Sequence, residues 1–200
     1  GEYLRKVGWC DFKALAYVFG YLPGDCRLQL SNGTVVRYAQ LFGDSLRVPN
    51  NCNRGVSGID GSTSTALGAS LVYGNKTIFV TGDMSLSYDL GGLATQYNHP
   101  NFKIIVMCNG GGGIFRFLDS TQQLPELERF LEVRHDIPVE NYAKTFDFAY
   151  FEAVDIKSLE HIFPMFLEER NKAAILAIKT DGKYNAQVLR RYFFKETKNH

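Results

Sequence analysis

The chain has 200 residues, enough for one domain with a buried core, and 45% of them are hydrophobic while 22% are charged. This composition excludes a disordered or collagen-like chain, and the formal net charge of +1 excludes a general electrostatic attraction to nucleic acid or to an anionic membrane. The apolar runs have the length of strands and fall far short of the roughly 20 residues that cross a bilayer, so we expect no membrane span.

Helices and strands are predicted to alternate through the first part of the chain. Helical spacing of apolar residues predicts a helix at 11–21, with Asp11 as its N-cap. The alternation continues as βα units up to a helix that is rich in small residues. The predicted elements are a strand at Arg27–Leu30, a helix at 34–42, a strand at 46–48, a glycine-rich loop at 50–61 and a helix at 62–73.

Two strands in the middle of the chain are the most distinct, because they are β-branched and apolar on both faces. They lie at 77–81 and at Phe102–Cys108, with a predicted helix at 86–97 between them. Such strands alternating with helices indicate an α/β fold, a doubly wound, mostly parallel sheet with helices on both faces. Further elements are predicted as a helix at 139–146, a strand at 150–153, a helix at 158–170, a strand at 173–179 and a last helix or frayed tail at 184–200.

Two of the loops that follow strands carry candidate metal ligands. Asp83 comes directly after a buried strand, and Asn109 follows the next strand at the start of a run of four glycines. Ligands of open α/β sheets bind beyond the carboxyl ends of the strands, so we expect both side chains at one edge of the sheet. Their oxygens suit Mg²⁺, which takes its remaining ligands from water and phosphate. The alternative is that Asp83 only caps a helix and the glycines only form a tight turn.

Other common site motifs are missing from the sequence. The segment 74–77 has the ending of a nucleotide P-loop without its first glycine in register, and no G-x-S-x-G surrounds any serine. The glycines at 111–113 do not form the G-x-G-x-x-G of a nicotinamide-binding fold. The four histidines lack metal-ligand spacing, and the four cysteines lack a C-x-x-C pair, so we expect structural histidines and a reducing, cytoplasmic setting.

The spacing of Asp83 and Asn109 is similar to the GDG and NN motif of the thiamine diphosphate-dependent enzymes, a superfamily that includes transketolase, pyruvate decarboxylase and acetolactate synthase. Met84 and Cys108 replace two residues of that motif. Within the superfamily, the chain most closely resembles the carboligases of menaquinone biosynthesis. The resemblance is carried by SNGTVVR at 31–37, NRGVSGIDG at 53–61, GDMSLSYDL at 82–90 and NGGGGIF at 109–115.

This resemblance implies that residues 1–200 are the C-terminal, diphosphate-binding domain of a three-domain transferase. The implied enzyme binds thiamine diphosphate with Mg²⁺ or Mn²⁺, decarboxylates 2-oxoglutarate and adds the succinyl carbanion equivalent to isochorismate. It also implies a homodimer or homotetramer in which the pyrimidine-binding domain of a neighbouring subunit supplies an activating glutamate. We therefore expect no catalytic residue in this chain, and an inactive protein when the chain is taken alone.

The resemblance also implies which residues bind each group. The metal ligands would be Asp83, Asn109 and the backbone oxygen of Gly111. The diphosphate would lie near Met84, Ser85 and Gly112, and the rings of the cofactor would lie against Ser57, Gly58 and the wedge Ile59. Substrate carboxylates would bind Arg37 and Arg54, beside an apolar wall of Ile114, Phe115 and Leu118. Gly33 departs from a serine of the family near the substrate.

Two other functions remain open from the sequence. One is a domain of another thiamine diphosphate-dependent decarboxylase or carboligase that acts on 2-oxo acids, which differs from the first in that isochorismate is not consumed. The other is a non-catalytic module that keeps the fold and binds a small ligand.

Overall fold

The computed structural model describes residues 2–118 and 120–196, with a six-stranded sheet at its centre. The strands are β1 (Arg27–Leu30), β2 (Asn50–Cys52), β3 (Thr77–Gly82), β4 (Phe102–Cys108), β5 (Ala149–Ala153) and β6 (Ala174–Lys179). Their order across the sheet is β2-β1-β3-β4-β6-β5, and every neighbouring pair is parallel. The predicted α/β class with a parallel sheet is confirmed.

Helices precede, connect and follow the strands. They are α1 (Glu2–Lys6), α2 (Asp11–Gly20), α3 (Thr34–Leu41), α4 (Ser62–Val72), α5 (Asp83–Tyr88), α6 (Ile114–Phe117), α7 (Val139–Thr145), α8 (Ile156–Glu168) and α9 (Gly182–Glu196). Short 3-10 turns lie at Gly43–Ser45 and Leu90–Leu93, and a π-helical turn lies at Leu127–Leu131.

Successive residues of the central strands point to opposite faces of the sheet, and each face has its own apolar cluster. Ile78 and Val80 of β3 belong to one cluster, whereas Phe79 between them belongs to the other. Buried side chains of α2, α3, α8 and α9 complete the first cluster, and those of α4, α5 and α7 complete the second. Because both faces are covered, the strands can be apolar throughout, and the predicted doubly wound arrangement is confirmed.

The strand predicted at 46–48 is wrong, because the edge strand β2 lies at Asn50–Cys52. Within the described part of the chain this strand pairs with β1 alone, and its side chains are exposed or half-buried. An edge strand with polar side chains has no apolar pattern that would reveal it. Val48 is apolar and made the segment resemble a strand. Its side chain is indeed buried, but it lies in the loop before β2.

The helix predicted at 86–97 is also wrong in its bounds. α5 begins at Asp83, directly after β3, and ends at Tyr88. The following turn contains Gly92, where an added Cβ would lie 2.4 Å from Oγ of Ser64 in α4. The backbone therefore approaches α4 more closely than a longer helix with ordinary side chains would allow.

Helix ends differ from prediction in smaller ways. Cys10, not Asp11, is the N-cap of α2, since Asp11 is already the first helical residue. α8 begins earlier than predicted, where the side chain of Asp155 accepts a hydrogen bond from the backbone N–H of Ser158 at 2.7 Å, and it contains Pro164. The predicted last helix is α9, and residues 197–200 of the predicted tail lie outside the described residues.

Candidate functional site

A cavity of 630 Å³ opens at the carboxyl ends of β1, β3 and β4. The chain leaves β1 toward β2 on one side and returns to β3 on the other, so the cavity lies at the point where the strand order reverses, which is where ligands bind in open α/β sheets. All predicted site residues except Gly58 line it, namely Arg37, Arg54, Ser57, Ile59, Asp83, Met84, Ser85, Asn109, Gly111, Gly112, Ile114, Phe115 and Leu118.

Asp83 joins the ends of the two central strands. It is only 4% exposed and lies at the junction of β3 and α5. Its Oδ1 accepts a hydrogen bond from the backbone N–H of Met84 at 2.7 Å, and its Oδ2 accepts one from the backbone N–H of Gly110 at 2.8 Å. Burial raises the pKa of Asp83, and these N–H groups oppose that rise because they favour the ionised carboxylate. The side chain is therefore fixed before any ligand binds.

Asn109 is held from the side of α2. Its Nδ2 donates to Oδ2 of Asp11 at 3.0 Å, and Oδ1 of the same carboxylate accepts from the hydroxyl of Thr180 at 2.6 Å. Burial raises the pKa of Asp11 to about 6. Within the described ranges, 2–118 and 120–196, no hydrogen bond engages Oδ1 of Asn109, so this oxygen is available to a ligand in the cavity.

The glycine run after β4 has a conformation that other residues rarely adopt. Gly110 and Gly111 have φ values of +82° and +148°. A Cβ on Gly111 would lie 2.6 Å from the carbonyl oxygen of Glu132, and the N–H of Gly112 donates to the same oxygen at 2.7 Å. The carboxylate of Glu132 is buried and accepts from Nε of Arg116 at 2.6 Å. The segment around Glu132 therefore covers the glycine loop, which the sequence analysis missed.

Asn32 organises the opposite side of the cavity. It is 4% exposed, and its Nδ2 donates to the carbonyl oxygens of Asn53 and Gly58, each at 2.7 Å. Its Oδ1 accepts from Nη1 of Arg54 at 2.7 Å. Sequence reasoning assigned no role to this residue, although it lies in the SNGTVVR segment. Gly58 itself does not line the cavity.

Further contacts fix the loop that carries Ile59 and the start of α4 that follows it. The hydroxyl of Ser85 in α5 donates to the carbonyl oxygen of Ile59 at 2.6 Å. The carboxylate of Asp89 accepts from the backbone N–H and the hydroxyl of Ser64 at 2.7 and 2.8 Å, and so satisfies the start of α4 directly after this loop. The loop that carries Ile59 is therefore tied to α5 and to the end of β1.

The donors present suit a hard divalent cation. A carboxylate oxygen of Asp83, the amide oxygen of Asn109 and the carbonyl oxygen of Gly111 match the all-oxygen coordination of Mg²⁺ or Mn²⁺. Across the part of the chain that the structure describes, no three His, Cys, Asp or Glu side chains form a cluster that could hold a metal. A site here would consequently depend on backbone and amide oxygens, and on ligands that the bound molecule brings.

The histidines and cysteines had no predicted role in the site. His99 faces the hydroxyl of Ser70, with 2.9 Å between Nε2 and Oγ, whereas Nε2 of His135 lies 3.7 Å from Oδ1 of Asp83. All four cysteines are free, and burial raises the pKa of the Cys108 thiol at the end of β4. Among the described helices, none is both long and apolar enough to cross a bilayer.

Comparison with known proteins supplies relatives. No family model matches the chain. It is 41% identical over 192 residues to the 2-succinyl-5-enolpyruvyl-6-hydroxy-3-cyclohexene-1-carboxylate synthase of Flavobacterium johnsoniae, which covers 96% of this chain and 35% of that protein. The protein of the same name from Porphyromonas gingivalis is 39% identical over 192 residues, which cover 96% of this chain and 33% of that protein. The one from Bacteroides fragilis is 32% identical over 190 residues, which cover 94% of this chain and 34% of that protein. The chain spans about a third of the length of these relatives.

Proposed function

Because the chain belongs, over the third of their length that it spans, to the family of 2-succinyl-5-enolpyruvyl-6-hydroxy-3-cyclohexene-1-carboxylate synthases, we propose that it is the diphosphate-binding domain of such an enzyme. The full-length protein would be a thiamine diphosphate-dependent transferase of menaquinone biosynthesis. It would decarboxylate 2-oxoglutarate and join the succinyl unit to isochorismate. The observation that carries the proposal is the convergence of the predicted metal ligands and the predicted substrate arginines on one cavity.

The share of the relatives that the chain covers, about a third, supports a multi-domain arrangement. We propose that residues 1–200 are the C-terminal domain of a three-domain enzyme, which acts as a homo-oligomer. The pyrimidine-binding domain of a neighbouring subunit would complete the active site and provide its activating glutamate. The cavity of each subunit would then form only one wall of an active site, so the chain alone is expected to be inactive.

The buried end of the cavity would hold the metal and the diphosphate. Asp83, Asn109 and Gly111 would contribute one oxygen each to Mg²⁺ or Mn²⁺, and phosphate oxygens and water would complete six ligands. When bound, thiamine diphosphate supplies the carbon nucleophile and the electron sink for decarboxylation and carboligation. Ile59, whose backbone carbonyl oxygen accepts a hydrogen bond from the hydroxyl of Ser85, would be the wedge against the rings of the cofactor.

The open end of the cavity would bind the substrates, which carry several carboxylates. A guanidinium group can bind a carboxylate through two parallel hydrogen bonds. Among the described residues, the guanidinium of Arg54 donates to Asn32 through one nitrogen, which leaves its other N–H groups for a ligand. Arg37 extends from the first turn of α3. The apolar side chains of Ile114, Phe115 and Leu118 would exclude water from the reacting atoms.

Calorimetric titration of thiamine diphosphate into the full-length protein, with and without Mg²⁺, tests the cofactor assignment. We expect binding that requires the metal and that falls at least 100-fold in Asp83→Ala. The matched control is Asp155→Ala, which removes an exposed carboxylate at the start of α8, far from the cavity along the chain. Binding that persists without metal, or that is equal in both variants, would contradict the proposal.

A second measurement distinguishes this enzyme from other carboligases. Purified full-length protein with cofactor and Mg²⁺ is incubated with 2-oxoglutarate in the presence and absence of isochorismate. We expect consumption of both substrates with release of CO₂. Turnover of 2-oxoglutarate that leaves isochorismate untouched would favour another 2-oxo acid decarboxylase.

A further inference from the structure

A row of hydrogen-bonded side chains extends from Asn109 away from the glycine loop and into the protein. Asp11 accepts from Asn109 at 3.0 Å and from the hydroxyl of Thr180 at 2.6 Å. Asn185 of α9 donates from Nδ2 to the same hydroxyl at 3.0 Å, and its Oδ1 accepts from the backbone N–H of Asp11 at 2.9 Å. Asp11 is 1% exposed and Asn185 is 6% exposed, so water does not compete for these contacts.

The chemistry of these groups determines which one donates and which one accepts in each hydrogen bond of the row. The backbone N–H of Asp11 can only donate, so Asn185 must turn its oxygen to it and its NH₂ group to Thr180. The hydroxyl of Thr180 therefore accepts from Asn185 and gives its own proton to Oδ1 of Asp11.

The last contact of the row determines the orientation of the Asn109 amide. An ionised carboxylate only accepts hydrogen bonds, so Asn109 must present Nδ2 to Asp11. Its Oδ1 then faces the other way. Asn109 lines both the narrow 10 Å³ void beside Asp11 and the large cavity, so the oxygen is left for the cavity.

We propose that Asp11 is a positioning residue for the metal site, which holds the amide oxygen of Asn109 toward the cation and adds a fixed negative charge behind it. This inference rests on the proposed function, because it concerns the same metal site. Without the carboxylate, the amide of Asn109 could turn its NH₂ group toward the cation, which removes one ligand and places a donor beside a positive charge.

The substitution Asp11→Asn tests the orientation with little change in shape. The hydroxyl of Thr180 still has to donate, so the new amide turns its oxygen to Thr180 and its NH₂ group to Asn109. Asn109 must then present its oxygen to residue 11 and its NH₂ group to the cavity. Partners behind a metal ligand typically change metal affinity by about 10- to 100-fold, and we expect a loss of that size.

The matched control is Thr180→Val. It removes a hydrogen bond to the same carboxylate, but it leaves Asp11 free to accept from Asn109. If Asp11 acts by orienting Asn109, this variant keeps its metal affinity within about threefold of the wild type. A general disturbance of the hydrogen-bonded row would instead weaken metal binding in both variants.

The measurement is the binding of Mn²⁺ to the full-length protein with saturating thiamine diphosphate, followed by the electron paramagnetic resonance signal of free Mn²⁺. We expect the order of affinity to be wild type and Thr180→Val, then Asp11→Asn, then Asp83→Asn. In turnover assays, Asp11→Asn should need at least tenfold more Mg²⁺ for half-maximal rate than the wild type.

The outcomes separate this inference from the proposed function. Loss of Mn²⁺ in Asp83→Asn with unchanged affinity in Asp11→Asn would overturn the positioning role and leave the metal site in place. Unchanged affinity in both variants would overturn the metal site and with it the proposed function. Equal losses in Asp11→Asn and Thr180→Val would also reject the orienting role. If Asp11→Asn does not fold, Asp11→Ser removes the same carboxylate at the first position of α2, with the same expected loss and the same contrary results.

Discussion

The two ends of the cavity are built differently. At the ends of β3 and β4, the candidate metal ligands are held by backbone N–H groups and by buried side chains, as in the contacts of Asp83 with Gly110 and of Asn109 with Asp11. At the ends of β1 and β2, the loop at 53–61 is largely exposed, and Val56 at its tip is 97% exposed. Two buried side chains hold this loop: Asn32 ties it to the end of β1, and Ser85 ties it to α5.

The difference follows from the place of each pair of strands in the sheet. β3 and β4 are central and are paired over six positions, whereas β1 and the edge strand β2 are paired over three. Central strands provide neighbours on both sides and helices on both faces, which can fix side chains at their ends. The comparison teaches that the chain combines a rigid half, where the proposed metal and diphosphate would bind, with an open half, which the proposed partner domain and substrate would complete.

Among backbone substitutions in the rigid half, Gly111→Ala is expected to have the largest effect. The new Cβ would lie 2.6 Å from the backbone oxygen of Glu132, at a φ of +148° that costs an ordinary residue about 1–3 kcal/mol. We expect a lower melting temperature and at least tenfold weaker metal-dependent binding of thiamine diphosphate to the full-length protein.

Gly113→Ala is the control in the same loop. Gly113 has a φ of −55°, and the nearest atom to an added Cβ is Nδ2 of Asn109 at 3.8 Å. We expect its melting temperature and cofactor affinity to match the wild type. Equal effects of the two substitutions would show that the loop is not held as closely as its contact with Glu132 implies.

Substitutions in the open half should change the affinity for substrate and leave cofactor binding unchanged. We expect Arg37→Ala and Arg54→Ala each to raise KM for a substrate by about tenfold, or about 1.4 kcal/mol, because a guanidinium contact with a carboxylate is lost. Cofactor binding should stay unchanged, since neither arginine lies among the candidate metal ligands.

Steady-state kinetics and calorimetry on the same preparations separate these two quantities. Arg47→Ala is the matched control, since this exposed arginine precedes β2 and lies outside the cavity lining. Arg54→Lys keeps the charge but not the planar group, so it should not restore KM. Unchanged KM in both cavity variants would remove the assignment of the arginines to substrate.

The smallest effect concerns Lys103, at the opposite end of β4 from Asn109. Its side chain is buried, and Nζ donates to the carbonyl oxygen of Glu169 at 2.6 Å. Burial lowers the pKa of Lys103 from 10.5 to about 8, so the unfolded chain binds more protons than the folded one between these values. The free energy of unfolding should therefore rise with pH across this window relative to Lys103→Met.

Urea unfolding of both proteins at pH 7, 8, 9 and 10 measures this difference. Metal-dependent cofactor binding at pH 7 should be the same in Lys103→Met and in the wild type, because the substitution lies at the far end of the sheet from the cavity. A difference in stability that is flat or falls with pH would contradict the assigned shift. Together with the glycine variants, this measurement separates effects on the stability of the sheet from effects on cofactor binding at its edge.

Local pattern was sufficient for the central sheet. β4 has the predicted bounds, and β3 extends one residue beyond the predicted 77–81, because apolar, β-branched residues have to be buried wherever they lie in the chain. β2 was misplaced because its side chains are polar and only pairing with β1 makes it a strand. The helix predicted at 86–97 was too long because its end depends on the contact of Gly92 with α4, which is distant in sequence.

The same division holds for the site. The sequence by itself determined that Asp83, Asn109 and the glycines would lie together, since the carboxyl ends of neighbouring parallel strands share one edge. Only the tertiary structure decided how they are held, by Asp11 behind Asn109, by Glu132 over the glycine loop and by Asn32 beneath Arg54. Local periodicity is enough to locate the ends of strands. The residues that hold the site, in contrast, lie far along the chain from the groups they contact, or belong to loops without periodicity. Hydrogen bonds between such distant residues form only when the layers pack.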